Sequence, residues 1–94
     1  MLELLEREMS ITPSEFVRSL NDAFPGAVAQ SPQALHVSFS MAAMEIELQP
    51  GPPRTIALLS LPTIRVRIRF TAGDAGQRAA MLERMDRYMQ RGGG

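Results

Sequence analysis

The chain has one histidine, His36, and it lies at every-second-residue spacing with Ser38 and Ser40, ahead of two glutamates at the same spacing, Glu45 and Glu47. Histidine, serine and carboxylate are the residue types of hydrolytic catalysis, in which a base activates a hydroxyl and an acid orients the base. Alternation puts them on one face of two paired strands, with Glu47 opposite Ser38 and Glu45 opposite Ser40. A working triad also needs a sheltered pocket and a fixed orienting group. An open sheet face supplies neither, so the pattern reads as solvated, and no catalytic residue is assigned. No metal or cofactor site is assigned either. The sequence contains no cysteine, which removes disulfides, thiolate zinc sites and a cysteine nucleophile. Gly73-Asp74-Ala75-Gly76 stands where a phosphate-cradling loop could stand. It lacks the further glycines and the lysine of a P-loop and reads as a helix cap.

Arginine makes the second constellation. In TIRVRIRF, residues 63–70, Arg65, Arg67 and Arg69 share one strand face, with successive side chains roughly 7 Å apart. Every one of the ten basic residues is arginine, the side chain best suited to bidentate recognition of carboxylate or phosphate. Three like charges in a row repel, so something anionic is expected beside them. Either Glu45 and Glu47 supply it from a flanking strand, or an external phosphate does. Arg84, Arg87 and Arg91 form a further stripe on the last helix, diluted by Glu83 and Asp86. The charge is unevenly spread: residues 1–53 carry two arginines against seven acids, and residues 54–94 eight against three. Sheets that read nucleic acid usually add exposed aromatic platforms. Here Phe16, Phe24, Phe39, Phe70 and Tyr88 all fall at core-facing positions, which disfavours a nucleic-acid partner and leaves phosphate-backbone binding through Arg65, Arg67 and Arg69 as the alternative function.

These residues must be positioned by a small fold. Ninety-four residues make one domain. Leu2, Leu5 and Met9 fall at helical spacing and suggest a short helix over residues 2–9. Thr12-Pro13 with Glu15 is a capping box, and Ile11 with Phe16 a hydrophobic staple, opening a helix that Pro25-Gly26 ends. The period then changes to two. Residues 27–30 form a short strand, and 35–41 and 44–49 form a hairpin about Ala42-Ala43, pairing Met41 with Met44, Phe39 with Ile46 and Val37 with Leu48. Ala-Ala is poor turn chemistry, so pattern and propensity conflict there.

After the loop Pro50-Gly51-Pro52-Pro53 the apolar run from Ile56 to Phe70 is too long for one strand. A strand over the sixteen residues 55–70 would reach roughly 53 Å, against a radius of gyration near 13 Å. Two readings follow: a break with a three-residue loop at 60–62, or one long bent strand. Asp74 caps a final helix whose stripe is Met81, Leu82, Met85, Tyr88 and Met89, with 92–94 as a frayed tail. The expected fold class is α+β: an antiparallel sheet of four or five strands, flanked on one face by an N-terminal and a C-terminal helix, in the order α-β-β-β-β-α.

One stretch remains unexplained by a two-layer fold. Ala57, Leu59 and Leu61 lie opposite Ile56 and Leu58, so the strand is apolar on both sides. Either residues 2–9 cover the second side, or it forms a homodimer or protein-partner interface, with seven methionines lending adaptable contacts. No apolar run approaches a membrane span. The acidic start MLELLEREMS is unlike a secretory signal, so a cytoplasmic protein is expected. The tail MDRYMQRGGG and the stretch LPTIRVRIRF resemble a group of small, uncharacterised proteobacterial proteins, over the C-terminal half or more; the resemblance implies no activity. The expectation is a non-enzymatic interaction or assembly domain.

Overall fold

The structure, a computed structural model, describes residues 4–93. Two helices and seven strands follow the chain as β1 (Leu4–Met9), α1 (Pro13–Ala23), β2 (Val28–Gln30), β3 (Leu35–Phe39), β4 (Ala42–Pro50), β5 (Arg54–Ile56), β6 (Leu59–Leu61), β7 (Ile64–Ala72) and α2 (Ala75–Gly93). Five strands build an antiparallel sheet in the order β1-β7-β4-β3-β2, and β5 and β6 pair separately. The α+β class with a helix from each end of the chain is as the sequence predicts.

Both helices cover one face of the sheet. Phe16 and Leu20 of α1 and Met81 and Met85 of α2 are fully buried with Val37, Met44, Ile46, Ile64, Val66 and Ile68. The helix starts follow their cap chemistry. Thr12 Oγ1 accepts from the Glu15 N–H at 3.1 Å and donates to its carboxylate at 2.9 Å, while Ile11 and Phe16 are buried as the staple requires. At α2 the exchange between Asp74 and Gln77 is reciprocal, each backbone N–H donating to the other's side chain. Arg84 clasps the layers: its Nε donates to the Ala23 carbonyl at 2.6 Å, and its guanidinium lies over the rings of Phe39 and Tyr88.

Three local expectations are corrected. The segment expected to be helical at residues 2–9 is strand over its described part, with Leu5, Arg7 and Met9 half-buried and Leu4, Glu6 and Glu8 exposed; Leu2 lies outside the described residues. A period-two alternation of buried and exposed positions wins over the apparent helical spacing. Secondly, the β3–β4 turn is Ser40-Met41, not Ala42-Ala43, so Phe39 pairs with Ala42, Val37 with Met44 and Leu35 with Ile46. The turn moves by two residues and each cross-strand partner by four, and every expected inward residue except Met41 stays on the inward side. The hydrophobic pattern therefore cannot choose between the registers, and turn chemistry does: Ser40 takes φ 56°, a conformation a short polar side chain tolerates better than alanine. Met41 is left exposed at the turn and Ala42 is buried instead.

Thirdly, residues 54–61 fold back at Ala57-Leu58, with Ile56 opposite Leu59, rather than at 60–62 or as one bent strand. This hairpin forms an arm that continues from β4 and returns to β7 through a neck at which the ladder is interrupted. Pro52, Pro53 and Pro62 have no N–H to give there. The neck is held by Gly51 N–H to the Thr63 carbonyl at 2.9 Å and by Thr63 Oγ1 to the Pro52 carbonyl at 2.8 Å. A side chain at Gly51 would meet that hydroxyl at 2.8 Å, so a larger residue there would have to displace the Thr63 side chain from the Pro52 carbonyl.

Candidate functional site

Two surfaces hold the residues singled out above: the helix-free face of the sheet and the hairpin arm. On the sheet, β7 lies between β1 and β4, and the register places Arg67 between Glu6 and Glu47, Arg69 between Leu4 and Glu45, and Arg65 between Glu8 and Gln49. Three guanidiniums thus stand between two columns of two carboxylates each, Glu6 and Glu8 on β1 and Glu45 and Glu47 on β4. Arg69 donates to Glu45 Oε2 at 2.5 Å, and Arg67 Nε lies 3.2 Å from Glu6 Oε1. Arg65 forms no ion pair among the described residues, and Glu8 is taken instead by Arg54 at 3.2 Å. The hydrogen bond from Arg69 holds the Glu45 carboxyl below its ordinary value, and Glu45 in turn raises Arg69. Like-charge repulsion along β7 is relieved within the chain, and each such exposed pair contributes little, about 0–1 kcal/mol.

Glu45 also faces His36, directly across the β3–β4 ladder and not opposite Ser40 as the sequence suggested. Its Oε1 lies 3.7 Å from His36 Nδ1, while His36 Nε2 lies 3.3 Å from Ser31 Oγ. A serine, a histidine and a glutamate therefore do meet, but the serine is Ser31, from the turn before β3. The paired positions Ser38 and Ser40 are not involved, and Glu47 sits beside Arg67 instead. Ser31 escaped the sequence reading because it is off the alternation, its position set by the turn of residues 31–34.

The arrangement is a poor nucleophile site. Ser31 Oγ is already bonded within its own turn, accepting from Ala34 N–H at 3.2 Å and donating to the Ala34 carbonyl at 3.1 Å. At 3.7 Å the glutamate is too far to hydrogen-bond the ring, and it is turned toward Arg69. His36 is 45% exposed, so water competes for every proton. Among the described residues no group of three or more histidine, cysteine, aspartate or glutamate side chains is placed to hold a metal.

The aromatic side chains lie on the helix side. Phe16, Phe24 and Phe70 are buried, Phe39 and Tyr88 pack against the core, and Phe24 meets Phe39 edge-on at 5.5 Å between centroids. None is available as a stacking platform. The α2 arginines are also committed: Arg84 is the clasp, and Arg87 pairs with Glu83 at 3.2 Å. The side chain of Arg91 lies outside those described.

The arm is the remaining surface. The tight turn at Ala57-Leu58 alters how its apolar residues are disposed. Cross-strand partners share a face, so Ile56 with Leu59, and Arg54 with Leu61, lie on one side, and Thr55 with Ser60 on the other. The stretch expected to be apolar on both sides is therefore apolar on one, with Leu58 at the tip. Residues 4–9 do not cover it, because β1 is bound into the main sheet beside β7. Ile56 is 53% exposed, Leu58 fully so and Leu59 64%. Ala57 is exposed at φ 54° and Leu61 is half-buried.

No protein-family model, curated protein or solved structure matches the chain. No helix among the described residues is long and apolar enough to cross a membrane.

Proposed function

We propose that the protein is a small association domain, not an enzyme, and that its hairpin arm joins two copies of the chain. The observation that carries this reading is the apolar row Ile56, Leu58 and Leu59, held out on a narrow hairpin beyond the reach of the chain's own core. Magnitudes favour a symmetric pair. Complete burial of three such side chains yields at most about 9 kcal/mol, against an association penalty of about 4–15 kcal/mol. One arm docking alone is marginal, whereas a two-fold arrangement uses both arms in one closed contact.

Light scattering at tens of micromolar tests it. The wild-type chain should scatter as a dimer, and the Ile56→Ser/Leu59→Ser variant as a monomer with an unchanged circular-dichroism spectrum. A wild-type chain that stays monomeric across that range rejects the reading. The alternative, phosphate binding through Arg65, Arg67 and Arg69, is weakened by the carboxylates beside them. A mixed nucleic-acid pool should show no binding even at low salt, where electrostatic binding is strongest; salt-sensitive binding lost on Arg65→Ala/Arg67→Ala would revive it.

A further inference from the structure

The arm needs a receiving surface, and the same end of the molecule has one. Strand β3 begins at Leu35, opposite Ile46, while β4 continues to Pro50. Residues 47–50 therefore have β7 on one side and no strand on the other. Beside this open edge, under the N-terminus of α1, lies a groove of about 430 Å³ whose floor is Val17, Leu35, Ile46 and Leu48 and whose rim is Pro13 and the 31–34 turn.

Groove and arm match in chemistry. No residue lining the groove is ionisable, and neither is any from Thr55 to Pro62, in a chain where 21% of residues are charged. Apolar surface can thus be buried on both sides without stripping water from a charge. The backbone matches as well. Both β5 and β6 have a free edge, since they pair only with each other, and strand addition to an open edge satisfies donors and acceptors that otherwise face water. Because β4 runs straight into the arm through the neck, donor and acceptor lie at one end of each copy, as a two-fold contact requires.

We infer that the arm of one copy lies in this groove of a second, extending β4 beyond the end of β3 and seating Ile56, Leu58 and Leu59 against Val17 and Leu48. This rests on the arm-mediated association proposed above and adds where the arm lands. The absence of cysteine permits a direct test by disulfide trapping, which needs Cα atoms within about 7 Å. Leu58→Cys and Gln33→Cys both alter exposed positions, so neither disturbs the core.

Mixed and mildly oxidised at tens of micromolar, the two single variants should give a covalent heterodimer at least tenfold above either homodimer. Leu58→Cys linking mainly to itself, in a chain that light scattering shows to be dimeric, would overturn the groove and leave arm pairing intact. A dimer giving no heterodimeric link would overturn it likewise. A monomeric wild-type chain would remove both readings together.

Discussion

At the scale of single residues, Glu45 is the most connected group on the open face, reached by Arg69 and lying near His36. Its carboxyl is held below the ordinary value chiefly by the Arg69 hydrogen bond. A carboxyl lowered on folding stabilises the native state above its unfolded value, and that contribution is lost as pH falls through the folded one. Stability should therefore decline as pH drops below about 4, and Glu45→Gln should flatten that decline in urea titrations at a series of pH values, being slightly less stable than the wild type at neutral pH and converging with it in acid. An unaltered slope would show that Arg69 does not hold Glu45 in solution. Much of this ladder was legible beforehand: the spacing of Arg65, Arg67 and Arg69 called for anions alongside, and Glu45 and Glu47 supply them from β4. Half was hidden, because Glu6 and Glu8 join only once residues 4–9 are a strand, and Leu5 and Met9 satisfy helical and strand periods alike in so short a segment.

At the scale of elements, caps and turns carry most of the information. The Thr12 and Asp74 caps act as their residue types dictate, since a side-chain oxygen three residues before an orphan N–H has few other uses. Turn positions were harder to read. Moving the β3–β4 turn by two residues keeps the same alternate positions facing inward along both strands, so only the tolerance of Ser40 for positive φ separates the registers. In the arm, likewise, the proline at 62 marks where pairing is interrupted, and the chain reverses at Ala57-Leu58. Gly73 links the β3–β4 turn to the start of α2. It sits at φ 105°, and a Cβ there would lie 2.9 Å from Cα and Cβ of Ala42, the first residue of β4. Gly73→Ala should destabilise the fold by about 2 kcal/mol or more through strain and clash combined, measured as a lowered urea midpoint at constant slope. A change below about 0.5 kcal/mol would mean that the β3–β4 turn does not pack against the start of α2.

At the scale of the whole molecule, the extents of 45 × 25 × 25 Å with a radius of gyration of 13.5 Å describe a compact two-layer body lengthened in one direction. A compact chain of this length has a radius near 13 Å, so the lengthening shows in the extents more than in the radius. Among the described residues, three of the five exposed large apolar side chains, Ile56, Leu58 and Leu59, lie on the arm. The sheet, by contrast, offers water an alternation of arginine and glutamate, the kind of surface that keeps neighbouring molecules apart. Among the described residues, charge guards the broad face and the narrow hairpin is left apolar, which is the contrast on which the proposed association rests. Amide hydrogen exchange of residues 55–61, followed as protein concentration is raised from the nanomolar to the tens-of-micromolar range, tests this most directly. The account predicts that exchange in the arm slows at least tenfold as copies associate, while the main-sheet core is already protected at every concentration. Arm amides that exchange at one fast rate throughout would contradict it.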